Sequence, residues 1–279
     1  MATPGGVADA LLTPGFKVSS CCNEGSIAWE NALPICLYCK ESDGPFTSVE
    51  HVIPESLGNQ GLRGKPPIVL PKGVVCDKCN HGKLANLDYA LIDFSPISLM
   101  RTRYGVRSKR GALPSTKLGN ARLRSLAPGN IQIEPGSSKN AFRYDGGKGR
   151  FNMQLLSNRP MTPTYCRTIT RALFKMTLGC MYLDLPEVAL SERFDPARRM
   201  ILGLDEFHGY LAVAKKITPP APNQPGVKLS YWFSKNDQGE ESVWADFYFL
   251  GLEMLTDLEI REWQPPAELP EDSVSVLEF

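Results

Sequence analysis

Two cysteine pairs, Cys36–Leu37–Tyr38–Cys39 and Cys76–Asp77–Lys78–Cys79, stand on either side of Val49–Glu50–His51, and Asn80 follows the second pair directly. Two such pairs can close a tetrahedral four-thiolate zinc site with metal–sulfur bonds of about 2.3 Å. A neutral histidine, with an ordinary pKa of about 6.5, is the side chain best suited to accept a proton near neutral pH. A carboxylate and an amide oxygen are hard donors, suited to a divalent ion such as magnesium that keeps several of its waters. Four cysteines alone specify no more than a zinc domain. An acid, a histidine and an asparagine beside them supply what metal-assisted phosphodiester cleavage requires.

The order and spacing of these residues resemble the HNH (ββα-metal) endonuclease family, in the branch written C-x-x-C, then E-H-x-x-P-x-x-L-G, then C-x-x-C-N. Here the three parts read CLYC, then EHVIPESLG from Glu50 to Gly58, then CDKCNHGKLANLD from Cys76 to Asp88. The resemblance covers residues 33–92, about a fifth of the chain. It implies a hairpin with the histidine at the end of its first strand and a helix after the second cysteine pair. It also implies that Cys36, Cys39, Cys76 and Cys79 bind a structural zinc. His51 would be the general base, and Glu50 and Asn80 would hold a catalytic magnesium or manganese ion. The chain departs from the pattern in one place. Many family members carry a bracing asparagine in the turn before the second cysteine pair, but residues 66–73 contain none and Asn59 lies well upstream. His81 is a second candidate beside Asn80. Asp88, two turns into the expected helix, reads either as an acid supporting the site or as a solvated helix residue.

These side chains must be positioned by particular elements. Alternation along a strand puts Glu50 and His51 on opposite faces, so strand geometry has to break after them, and Pro54 is consistent with that. A helix is expected from about Gly82 to Leu91. The fold class that follows is α+β: a zinc-stapled ββα-metal, treble-clef-like module at residues 31–92, preceded by an arm at 1–30. A basic linker with a β-hairpin should occupy 93–160. A C-terminal α+β domain with an antiparallel sheet and an acidic tail should occupy 161–279.

A formal charge of +1 says little about partners, but the distribution of charge says more. Residues 101–150 hold twelve Lys or Arg against two acids, whereas 236–279 hold twelve Asp or Glu against one Arg. Basic segments bind phosphate backbones, so the first stretch is the natural place for a DNA groove; a solvated surface is the plainer reading. A glycine turn between Arg143 and Arg150 predicts a hairpin bearing both arginines. From Thr164 to Leu183, Ile169, Leu173, Met176 and Cys180 form an apolar helical stripe. Arg167, Arg171 and Lys175 repeat every four residues on the same helix and are candidate nucleic-acid contacts. Asp195–Pro196 has the order of a helix start. Strands are expected at His208–Ala214, Val227–Ser234 and Val243–Leu250.

Nothing in the chain has the order of a signal peptide or an apolar run long enough to span a bilayer, so a cytoplasmic location away from membranes is expected. RNA is a second possible substrate, and oligomeric state is open, a dimer allowing paired nicks. Proteins resembling this one suggest a setting in phage defence or mobile elements. The alternative function is a zinc-knuckle module that binds nucleic acid or protein without cutting.

Overall fold

Strict alternation of apolar and polar residues near the C-terminus places every second side chain on one sheet face. The computed structural model shows where that face is buried. It describes residues 19–20, 34–59, 67–108, 110–118, 121–134, 143–145, 150–152, 163–205, 210–215, 226–235, 239, 241–259 and 274–278. Most of the expected arm, Cys21 and Cys22 included, and His208 at the start of an expected strand lie outside these residues.

Along the chain come β1 (Ser19–Ser20), β2 (Glu50–His51) and β3 (Val69–Leu70). A helical stretch follows, made of α1 (Asp77–Cys79), a wide π-type turn at Asn80–Leu84, and α2 (Ala85–Asp93). Then come α3 (Ser95–Tyr104), β4 (Ser115–Leu118), β5 (Ala121–Ala127), β6 (Asn130–Glu134), β7 (Arg143–Asp145) and β8 (Arg150–Asn152). The remainder is α4 (Pro163–Asp184), α5 (Pro186–Leu190), α6 (Asp195–Ile201), β9 (Tyr210–Lys215), β10 (Val227–Lys235), β11 (Glu241–Phe249), β12 (Leu252–Asp257) and β13 (Val274–Glu278).

The main sheet is antiparallel, in the order β1-β10-β11-β12-β9-β13. Val243, Ala245, Phe247 and Phe249 of β11 and Leu252 and Met254 of β12 point into the core. Leu250 (φ 50°) and Gly251 (φ 94°) form the two-residue turn between these strands, the left-handed pair a tight hairpin requires. Three smaller antiparallel sheets are present among the described residues: β2-β3, β4-β5-β6, which packs against α3, and the hairpin β7-β8.

Helix α4 lies at the centre. It contacts α2, α5 and α6 as well as β10, β11 and β13, and residues 172–181 along it are buried on every side. The expected two-faced helix is therefore an all-round core helix. One continuous core joins the cysteine-bearing segment, α4 and the main sheet, running from Leu37 and Val52 through Ile169 and Met176 to Phe247. Gly179 lets α4 pack closely against the cysteine-bearing segment, because a Cβ there would sit 3.3 Å from Tyr38 Oη and 3.4 Å from Val52 Cγ2. Pro96 lies in the first turn of α3, where proline is well tolerated. Among the described residues, no helix is long and apolar enough to cross a membrane.

Candidate functional site

The four thiols come together first. The sulfur atoms of Cys36, Cys39, Cys76 and Cys79 all lie within 4.8 Å of one another. Cys39 Sγ and Cys76 Sγ are 3.7 Å apart, and a tetrahedron with metal–sulfur bonds of 2.3 Å has edges of about 3.8 Å. The first pair forms a tight turn in which Lys40 N donates to Cys36 O at 2.9 Å. Lys40 takes the left-handed conformation, with φ 61°. The second pair caps the cluster, with Cys76 N 3.5 Å from Cys36 Sγ. A hydrogen bond from Cys79 holds the Cys36 thiol down at about 5. Supplying that bond pushes Cys79 upward, and burial raises Cys39 to about 12. Four sulfurs this close cannot all ionise without a cation among them, and a coordinating cation deprotonates its thiols outright. The residues fit a zinc ion in number, donor type and spacing.

The strand carrying Glu50 and His51 is held from three directions. β2 pairs with β3, Glu50 opposite Leu70 and His51 opposite Val69, and Val52 N donates to Ile68 O at 3.1 Å. Asn59 is buried behind this hairpin. Its amide nitrogen donates to Ile53 O (2.7 Å) and Ile68 O (2.9 Å), and its Oδ1 accepts from Ile68 N (2.8 Å). The bracing task expected of an asparagine before the second cysteine pair thus falls to one upstream of it. From the other end, Asp77 accepts bonds from the backbone and hydroxyl of both Thr47 and Ser48, at 2.6 to 3.0 Å. The hydroxyls of Ser48 and Thr47 hold its carboxyl down at about 2. Asn80 completes the tie, donating from Nδ2 to Ser48 Oγ at 3.0 Å and to Val49 O at 3.1 Å. Its Oδ1 is then the atom suited to a cation. The π-type turn that begins at Asn80 is a geometry often found at functional sites. His81, next in that turn, is exposed.

Alternation prevails at Glu50 and His51. The strand ends at His51, and after Pro54 the chain enters a 3-10 turn at Glu55–Leu57. The His51 side chain remains one-quarter exposed, and its Nε2 lies 3.1 Å from Glu55 Oε1. Glu50 points the other way, into the interior, where 4% of it is exposed. There its Oε1 meets the ammonium of Lys175 from α4. Lys175 Nζ also donates to Asp88 Oδ1 at 2.7 Å and to the His51 carbonyl at 3.2 Å. Tyr38 Oη, from the first cysteine pair, donates to the Lys175 carbonyl at 3.0 Å. Burial raises the carboxyls of Glu50 and Asp88 against the pull of Lys175. For Lys175 burial acts downward, but Asp88 and Glu50 outweigh it and hold the ammonium above its ordinary value.

Lys175 is therefore no surface contact for nucleic acid. Its side chain is fully buried, because an ion pair with carboxylates can hold a lysine inside a core that would otherwise reject it. Arg171 is also engaged in the fold, donating from Nε (3.3 Å) and Nη2 (2.9 Å) to the Ile201 carbonyl. Its guanidinium lies against Gly203. Arg167 is half-buried on the same helix. Arg143 and Arg150 fall on β7 and β8, at register positions opposite Asn152 and Asp145. A more open basic surface appears on β4-β5-β6. Lys117, Arg122 and Arg124 are exposed there, on the face opposite the buried Thr116, Ala121, Leu123 and Ser125. Arg-x-Arg in a strand with alternating burial was the available sequence signal for it.

Glu50 and Asn80 each offer an oxygen donor of the kind that hard cations take. Glu50 keeps one carboxylate oxygen beyond its Lys175 contact, and Asn80 keeps its amide oxygen. Glu50, Asp88 and Lys175 together carry one net negative charge when all are ionised. Among the described residues, the four cysteines are the only cluster of three or more His, Cys, Asp or Glu that could hold a metal. Compared with known proteins, the chain matches no family model, no curated protein and no solved structure.

Proposed function

We propose that this chain is a metal-dependent HNH endonuclease that hydrolyses phosphodiester bonds in DNA. One observation carries the reading. Asn80, the first residue after the second cysteine pair, bonds the Val49 carbonyl at 3.1 Å, at the residue just before Glu50–His51. The three parts of the motif, separate in the chain, thereby meet at one corner beside the thiol cluster.

In this reading Glu55 receives the Nε2–H of His51 and fixes the imidazole tautomer. The neutral imidazole takes a proton from the attacking water. Attack in line with the scissile bond leaves a 5′-phosphate and a 3′-hydroxyl. A magnesium or manganese ion held by Glu50 and Asn80 would supply Lewis-acid stabilisation of charge on the leaving oxygen. Asn59 and Asp77 keep the strand and the Asn80 turn in register. The exposed Lys117, Arg122 and Arg124 offer phosphate contacts whose strength should fall with salt. A role in phage defence or in a mobile element is the setting this activity suggests.

The test is incubation of supercoiled plasmid with the full chain in magnesium, in manganese, or with no added divalent ion. Nicked or linear product that requires the added ion is the expected result. Salt-sensitive binding with no product under any condition would favour a zinc-knuckle module that binds without cutting.

A further inference from the structure

We infer that Lys175 is a positioning residue of the Glu50–His51 site, delivered by a helix outside the nuclease-like segment. The inference rests on the proposed nuclease reading and extends it to a residue that the motif does not contain.

Three donors of one ammonium meet three oxygens: Glu50 Oε1, Asp88 Oδ1 at 2.7 Å and the His51 carbonyl at 3.2 Å. Two of these belong to consecutive residues of β2, so one side chain sets both the Glu50 rotamer and the peptide plane of His51. The third, Asp88, ties the ammonium to the helix that begins beside Asn80. Lys175 itself has little slack. Its side chain is fully buried, its carbonyl is held by Tyr38 at 3.0 Å, and α4 approaches through Gly179, one turn further on. A structural brace needs one partner; here the ammonium engages the expected cation ligand and the backbone of the expected base together. Partners that orient a metal ligand change metal affinity or activity by about 10- to 100-fold when removed.

Lys175→Met alone leaves the buried Glu50 carboxylate and the part-buried Asp88 carboxylate without a counter-charge and risks failure to fold. The charge-balanced variant Lys175→Met/Asp88→Asn removes one positive and one negative charge and avoids that problem. Its cleavage rate, DNA KM, manganese affinity by electron paramagnetic resonance, and zinc content are measured beside those of wild type. We expect full zinc content and unchanged KM, with kcat and manganese affinity each lower by about 10- to 100-fold. In the wild type, the Lys175 Nζ resonance should move on magnesium titration with the same midpoint as cleavage. A double variant with wild-type kcat and manganese affinity, or a Lys175 resonance indifferent to magnesium, would overturn the positioning role while leaving the nuclease reading intact. A wild type that neither cleaves nor binds manganese would overturn both.

Discussion

The thiol cluster and the Lys175 cage, linked through the Tyr38 hydroxyl of the first cysteine pair, hold their segments by different physics. The cluster draws on residues at most 43 positions apart and depends on soft donors around a cation that comes from outside. The cage joins positions 124 and 87 residues apart, and its cation is covalently part of the chain. A metal knot imposes fixed spacing on its ligands, two residues within each pair, and so leaves a pattern in the sequence. An ion pair across the core imposes no spacing at all. Lys175 reads in the sequence as one more basic residue on a helix, although it is the most deeply buried charge beside the site.

The two grips should fail differently. Cys36→Ser or Cys76→Ser should produce the largest loss, because structural zinc contributes about 10–16 kcal/mol of apparent binding energy in small zinc modules. Metal analysis and circular dichroism should show zinc lost and the module unfolded; a variant folded as wild type without zinc would separate the cluster from stability. Lys175→Met should cost about 3–5 kcal/mol, the usual result of removing one partner from a buried ion pair. Chemical denaturation would register that loss, and a change below 1 kcal/mol would mean that the cage contributes little. Asn59→Ala should cost about 1–3 kcal/mol by leaving the Ile53 carbonyl and the Ile68 amide without their side-chain partner, while the Ile68 carbonyl keeps only Val52 N. The smallest effect belongs to Asp77. Its folded pKa of about 2 lies below the ordinary 3.8, so its contribution is complete above the ordinary value and is lost as pH falls toward 2. The melting-temperature gap between wild type and Asp77→Asn should therefore be constant from pH 8 to 5 and begin to narrow only below 4.

Legibility in the sequence follows the range of each interaction. The cysteine pairs, the end of β2 at His51, the glycine hairpin at 143–152, the long helix at 163–184 and the alternating strands all rest on local spacing or local turn chemistry. Each is visible in the residues that form it. The pairing of β13 against β9 depends on what packs across it, whereas β12 and α3 are marked locally, by the Leu250–Gly251 turn and by Pro96. The same distinction explains Arg171 and Lys175. Their fourfold repeat marks one helix face correctly, but the sequence does not show that the face is covered. Asn59 marks an intermediate case. The resembled pattern puts a bracing asparagine just before the second cysteine pair, where this chain has none, and Asn59 braces from upstream because its amide reaches Ile53 and Ile68 together.

The central claim is that His51 performs chemistry and does not merely fill the end of β2. The direct measurement is cleavage of supercoiled plasmid by wild type and by His51→Ala, with zinc content and fold verified in both. The neighbouring strand and Lys175 hold the His51 backbone, and its side chain, one-quarter exposed, meets Glu55 outside the apolar core. The variant should therefore keep its zinc and its fold. Loss of a positioned general base should lower the cleavage rate by about 10²- to 10⁴-fold. A folded, zinc-loaded His51→Ala protein that cleaves as fast as wild type would contradict the account.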